Sequence, residues 1–297
     1  MLMTSLYWSS AFADELEIDM EMGVSGFSVY NDTGIDVIRL SRVWSFSSVG
    51  SVLWWIDDEV YTSITLGGLY NIASWYSEGE LENTRLFQVT QPYFEVGYRQ
   101  NFSTSQITYG VGAVAPIFRY ERRPHPTIGL GSFSTVATAG RGFWNSWYLS
   151  TAHRVGLVAH TELAHQINHR FRGFIEIAGA TWLPIRSVPG SIYVDRIFVA
   201  QSAIGAAYRL HNSLRLRGRA ALVNRNYRLS AEYPDGLHRE WTHDHWKSAQ
   251  IAAEYSTDRH VFSLMLTGIS QPSIDEPRSL MTNYSRWGLQ VGVSGHY

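Results

Sequence analysis

From Glu15 onward the chain alternates. Glu15, Glu17, Asp19 and Glu21 stand at every second position, with Leu16, Ile18, Met20 and Met22 between them. Residues two apart share one side of an extended strand, whereas a helix turns by about 100° per residue and would scatter the four carboxylates. The last residues obey the same rule. Trp287, Leu289, Val291, Val293 and Tyr297 share one face, against Arg286, Gly288, Gln290, Gly292, Ser294 and His296 on the other. Both ends of the chain therefore read as strands.

Between them, turn residues cut the sequence into alternating segments that predict twelve strands: 15–30, 35–46, 59–76, 84–98, 106–121, 149–165, 171–183, 191–210, 213–229, 244–256, 259–270 and 284–297. The connections alternate in length. Gln166 to Arg170, His211-Asn212 and Thr257-Asp258 are tight, whereas 122–148, 184–190, 230–243 and 271–283 are longer; 47–58, with Trp54-Trp55, fits this scheme least well. An even number of strands with a strand at each end permits closure, which removes sheet edges. No run of about 18 apolar residues exists, so no membrane helix is expected, but a tilted strand of about ten residues crosses a bilayer. One face is nearly uncharged through mid-strand, as in Leu214, Leu216, Gly218, Ala220 and Leu222, or Phe262, Leu264 and Leu266. Tyr70, Trp75, Tyr98, Trp182, Tyr208 and Trp287 near strand ends suit interfacial girdles. Arg42 and Arg196 fall on the apolar face, at an interface or beside a bulge that shifts the parity. The expected fold is all-β: a closed antiparallel transmembrane barrel of about twelve strands with both termini in the periplasm.

Met1–Ala13 ends in Ala11-Phe12-Ala13 before Asp14-Glu15, the small-x-small form of a signal-peptidase site. It reads as an export signal clipped at its start, which leaves 14–297 as a single barrel domain bound for the outer membrane of a Gram-negative envelope. The sequence has no cysteine, which excludes disulfides and thiolate metal sites, and its net charge of −2 argues against nucleic acid as a partner.

The final strand resembles the C-terminal assembly signal of bacterial outer-membrane β-barrel proteins: a terminal aromatic, Tyr297, preceded at alternate positions by Val293, Val291 and Leu289. The resemblance implies outer-membrane lipid as surroundings and the barrel assembly machinery as a partner. Arg39-Leu40-Ser41, Trp54-Trp55, Trp75-Tyr76 and Arg154-Val155-Gly156 resemble the outer-membrane lipid A 3-O-deacylase family over roughly the first seven strands. That family carries a His-x-Ser pair on one strand. The corresponding segment here, Phe174 to Ala180, has neither residue, so no catalytic residue carries over.

With apolar faces toward lipid, the opposite faces line the interior. They carry Glu17 and Asp19 near the N-terminus, Arg154, His160, Glu162, Arg172 and Glu176 in the middle, and Arg215, Arg217, Arg219 and Arg225 in one run. The arginine ladder forms either a track for small polar or anionic solutes, since guanidinium binds carboxylate and phosphate bidentately, or one half of ion pairs that fill the interior. Glu15 and Glu17 lie so near the N-terminus that periplasmic water is an alternative surrounding for them. His160 and Glu162 suit an acid/base pair, two metal ligands or a plain hydrogen-bonded pair. His238, Glu240, His243, Asp244 and His245 belong to the expected loop Glu232 to His245, a set that suits a divalent metal only if the loop fixes its geometry. No GxSxG, HExxH or phosphate-binding glycine loop occurs, so no catalytic set, metal site or cofactor is assigned. The expected function is a pore for small polar or anionic solutes, the alternatives being a non-conducting barrel that works through its loops or a lipid-modifying hydrolase. Deleting Tyr297 while making Val291 and Val293 polar should abolish outer-membrane assembly and leave export intact, as read by fractionation and heat-modifiable migration.

Overall fold

The computed structural model describes residues 16–29, 41–77, 80–89, 92–115, 154–184, 193–233, 236–270 and 284–296. Every regular element among them is a strand: β1 (Leu16–Val29), β2 (Ser41–Trp55), β3 (Val60–Ser77), β4 (Glu80–Val89), β5 (Tyr93–Asn101), β6 (Ser105–Val114), β7 (Arg154–Gln166), β8 (Phe171–Pro184), β9 (Tyr193–His211), β10 (Leu214–Tyr233), β11 (Gly236–Ser256), β12 (His260–Ser270) and β13 (Tyr284–His296). All pairings are antiparallel between chain neighbours, and β1 pairs with β13 to close the ring. β4 and β5 both pair with β3, at residues 68–77 and 60–65 respectively, so together they form one stave. The barrel has twelve staves, as the alternation predicts. Proline, which lacks an N–H and cannot donate to a ladder, stands at 92 between the two halves of the broken stave.

Three expected boundaries move. The second strand, expected over 35–46, continues to Trp55 in its described part, so Trp54-Trp55 ends a strand and residues 56–59 form a tight turn. There Asp57 Oδ1 accepts from the amides of Glu59 at 2.8 Å and Val60 at 2.6 Å, an Asx motif in place of the glycine signal that marks most hairpins. Asn168 Oδ1 does the same for Arg170 and Phe171, both at 2.9 Å. Of the expected loop 230–243, residues 230–233 and 236–243 are strand. β10 and β11 extend to Tyr233 and Gly236, with two residues between them. The expected strand 84–98 is the broken β4–β5 stave. The described tight turns lie at one end of the barrel, and the β1 start and β13 end lie with them, since Glu17 pairs with His296.

Alternation sorts the side chains as the period requires. Met20, Met22, Val96, Val111, Ile177, Ile204, Leu222, Leu264, Leu266, Leu289 and Val291 are exposed on the outer wall, and Ile251 is 65% exposed. In water so large an apolar surface would drive association; in a bilayer it is the solvent-matched face. Tyr70, Tyr98 and Tyr208 are exposed outward, as girdle residues require, but Trp182 is not one of them. It has inward parity on β8 and is 1% exposed, above Gly156, where an added Cβ would lie 2.7 Å from Trp182 Nε1. Arg196 is exposed on the outer wall, and a register shift between Arg228 and Leu229 in the β9–β10 ladder stands nearby. The side chain of Arg42 lies outside the described ones.

Ile251→Lys should cost about 2–4 kcal/mol of unfolding free energy in lipid if that face meets the hydrocarbon core. Urea titration of the reconstituted barrel reads this, and a neutral or stabilising effect would mean the face is wet.

Candidate functional site

The inner wall carries a belt of buried ionisable groups in the turn-proximal half of the staves. Two carboxylates come from β1, Glu17 and Asp19, both buried, with Ser51 Oγ donating to Asp19 Oδ2 at 3.4 Å from β2. Glu17 is 1% exposed, so it lies inside the barrel and not in open periplasmic water. Its parity places it beside Asp19, facing the bore.

On β5, Tyr93, Glu95, Gly97 and Arg99 share the inward face. Glu95 is the focus of three side chains from three staves. Tyr61 donates its hydroxyl to Oε1 at 2.8 Å from β3; Tyr93, two residues along β5, donates to Oε2; His160 Nε2 lies 3.2 Å from Oε2. The rings reach this point because the wall beneath them has no side chains. Gly97 faces Tyr61 and Gly110 across the ladders, and Gly110 in turn faces His160. A Cβ on Gly97 would sit 2.0 Å from the Tyr61 ring, one on Gly110 2.1 Å from His160 Nε2, and one on Gly112 2.5 Å from the Tyr93 ring. Below this cluster the Arg99 guanidinium lies 4.1 Å over the Trp55 ring, which meets Tyr61 edge-on.

Three staves round the ring from β5, Glu176 of β8 accepts a bidentate grip from Arg219 of β10, with Nη2–Oε2 at 3.0 Å and Nε–Oε2 at 3.2 Å. Gln201 of the intervening β9 donates to the same carboxylate at 3.1 Å. Arg215 pairs with its cross-strand partner Glu254, its Nε donating at 2.7 Å. Arg217 lies 5.0 Å over the Phe174 ring, for which Gly205 leaves room, and forms no ion pair among the described residues. Arg172 donates to Gln106 Oε1 at 3.0 Å, and Gln106 to Asn101. The carboxylates of Glu95, Glu176 and Glu254 thus gain partners that offset the water they lose.

The structure brings together Glu17, Asp19, His160, Glu162, Arg172, Glu176, Arg215, Arg217 and Arg219 on one inner surface. It separates His160 from Glu162 as a pair: the imidazole turns to Glu95, while Glu162 faces Glu176 across the β7–β8 ladder. Of the arginine ladder, Arg215 and Arg219 take the ion-paired arrangement, with Arg217 between them. The side chains of Arg154 and Arg225 lie outside the described residues, although both positions are in strands. His243 and His245 of the expected loop cluster are exposed on the outer wall of β11, and no group of three or more metal-ligating side chains converges among the described residues. Along the segment compared with the deacylases, Ile175 and Ile177 face outward and Phe174, Glu176 and Ala178 inward. Sequence reading missed the tyrosine partners of Glu95 and the glycine floor. The signal was there, since Tyr93, Glu95, Gly97 and Arg99 alternate with Phe94, Val96 and Tyr98.

No protein-family model matches this chain. No curated protein matches it in sequence either. Its backbone superposes on an outer membrane channel from Pseudomonas putida F1 with a TM-score of 0.61, over 98% of each chain and at 9% identity. The fold is that of outer-membrane β-barrels. A mutant of the TodX monoaromatic hydrocarbon channel aligns over 96% of this chain and 91% of its own, with TM-score 0.48 and 10% identity. The NanC porin aligns over 94% and 98%, with TM-score 0.46 and 11% identity. At such identities the likeness concerns the fold alone, and the inner-wall chemistry rests on the residues above.

Arg219→Met strands the Glu176 carboxylate in a buried site and should cost about 3–5 kcal/mol, most of it recovered in the double variant with Glu176→Met. Urea unfolding of the three variants in one lipid checks this; a single-variant cost near zero would mean the pair is already solvated.

Proposed function

We propose that this barrel sits in the outer membrane with its tight turns and both termini in the periplasm, and that it conducts small polar or anionic solutes. The observation that carries the reading is the uneven charge around the inner belt. β8 and β10 contribute Arg172, Arg215, Arg217 and Arg219, against Glu162 on β7, Glu176 on β8 and Glu254 on β11, whereas β1, across the bore from β8, contributes Glu17 and Asp19. Such an arrangement sets a field across the bore. In a low-dielectric wall that field is weakly screened, so it orients a dipolar solute and concentrates anions along the arginine side. Arg217 is the residue best placed to meet a passing anion, since the carboxylates that neutralise Arg215 and Arg219 leave it stacked on Phe174.

The ion pairs themselves favour a second reading, a barrel closed by its own side chains. The buried Arg219–Glu176 grip and the groups converging on Glu95 supply that alternative with its residues. Surrounding lipid is the partner in both readings, and the assembly machinery is the partner through the β13 strand, whose final Tyr297 lies outside the described residues. No cofactor enters either one.

Single-channel recording in planar bilayers separates the readings. The open pore gives discrete, anion-preferring current, and Arg217→Gln lowers the anion preference by about two-fold at 0.01 M salt, where the screening length is about 30 Å, and by less at high salt. A folded barrel that carries no current, and gains it in the Glu176→Gln/Arg219→Gln variant, belongs to the closed reading.

A further inference from the structure

The outer wall of β9, β10 and β11 departs from the apolar rule at the end away from the tight turns. Cross-strand register places Arg196, Arg228 and Trp241 in one row, Phe198, Asn226 and His243 in the next, then Ala200, Asn224 and His245, then Ser202, Leu222 and Lys247. Arg196, Asn224, Asn226, Trp241, His243, His245 and Lys247 are exposed, as is Arg239 beyond them. Arg228 lies 5.8 Å from the Trp241 ring, which packs against Phe198 at 5.9 Å. Two arginines are therefore direct cross-strand partners on one face, an arrangement that is repulsive by itself. None of the described side chains on this face is acidic.

Immediately nearer the bilayer centre the same three strands and β12 form an open apolar groove of about 730 Å³. Its floor is the small-residue row Ala220, Ala249 and Gly268, between Ile204 and Leu222, and Lys247 stands at its polar end. A Cβ on Gly268 would meet nothing within 4 Å. Cationic patch and groove are continuous. From the Trp241 row to Lys247 is about 20 Å along the strand, or roughly 15 Å of depth at a tilt of about 40°. That depth runs from a headgroup level, where the arginines stand, into the acyl region, where the groove lies.

We propose that this face binds a phosphorylated glycolipid of the leaflet at the long-loop end, a leaflet assignment that rests on the orientation proposed above. Arg196 and Arg228 hold one phosphate by charge-assisted hydrogen bonds. Trp241 and Phe198 take the sugar and glycerol level of the interface, where aromatic rings are at home. Lys247, at the head of the groove, snorkels up toward the headgroup, and one acyl chain lies over Ala220, Ala249 and Gly268.

The test is native mass spectrometry of the purified full-length barrel in detergent, titrated with diphosphorylated lipid A, its dephosphorylated form, phosphatidylcholine and inorganic phosphate. Diphosphorylated lipid A should bind about ten-fold more tightly than the dephosphorylated form, and Arg196→Gln/Arg228→Gln should remove most of that difference. Gly268→Phe, which fills open space, should weaken both acylated forms alike. Arg170→Gln/Arg259→Gln, an equal charge loss at the tight turns, should change nothing. Heat-modifiable migration confirms that each variant is folded before it is titrated. Equal binding of the phosphorylated and dephosphorylated lipids, retention of the preference in the double arginine variant, or displacement of the lipid by millimolar inorganic phosphate would each overturn the proposal. None of these readouts depends on conductance, so the lipid site and the pore fail separately.

Discussion

A backbone crossing hydrocarbon must satisfy every N–H and C=O within the protein, because no water is present to do so. For a chain made of strands this demand has one solution, a sheet that meets its own first strand. The β1–β13 ladder, from Glu17↔His296 to Val29↔Tyr284, is that solution here. Everything else follows from it. Once the ring is closed, each stave has one side for lipid and one for the bore, and a period of two becomes a division of chemistry. Val96 and Glu95 are neighbours in sequence, yet one faces hydrocarbon and the other accepts from two tyrosines.

The bore of a twelve-stave barrel is narrow enough for side chains from separate staves to meet. What fills it is decided by where side chains are missing. Glycines at 97, 110, 112 and 205 let Tyr61, His160, Tyr93 and Phe174 lie flat along the wall, and the first three rings converge on a single carboxylate. Three staves further round the barrel, Arg219 and Gln201 hold Glu176. The result is a charged lining whose members are fixed by partners, so its field is set in advance of any solute.

Much of this was legible in the sequence, because side-chain direction in a strand depends on parity alone. Glu17, Asp19, Arg172, Glu176, Arg215, Arg217 and Arg219 all stand on the wall that alternation predicts. Boundaries were harder to read wherever a turn used unusual chemistry. Asp57 closes a turn without glycine, which concealed the true end of β2, and Trp55, inward on that strand, was taken for part of a connection. The polar outward face of β11 looked like a loop because strands are expected to be apolar on one side, and above the hydrocarbon level that expectation lapses. Pairing partners were not legible at all. Arg219 is 43 residues from Glu176, and which carboxylate it grips depends on register across an intervening strand.

The seam has a further consequence for how the molecule forms. Every other ladder joins segments that are neighbours along the chain, whereas β1 and β13 come from its two extremes. Hairpins with their turns already capped by Asp57, Asn168 and Thr257 bring their partners together over short loops, but the seam must be closed over almost the entire polypeptide, at the greatest entropic cost. It is also rich in glycine, with Gly23 and Gly26 on one side and Gly288, Gly292 and Gly295 on the other. Glycine-rich strands specify their alignment weakly. The outward pairs Met20↔Val293, Met22↔Val291 and Val24↔Leu289 are therefore what sets the register when the cylinder shuts. A one-residue slip there would turn Glu17 and Asp19 toward lipid.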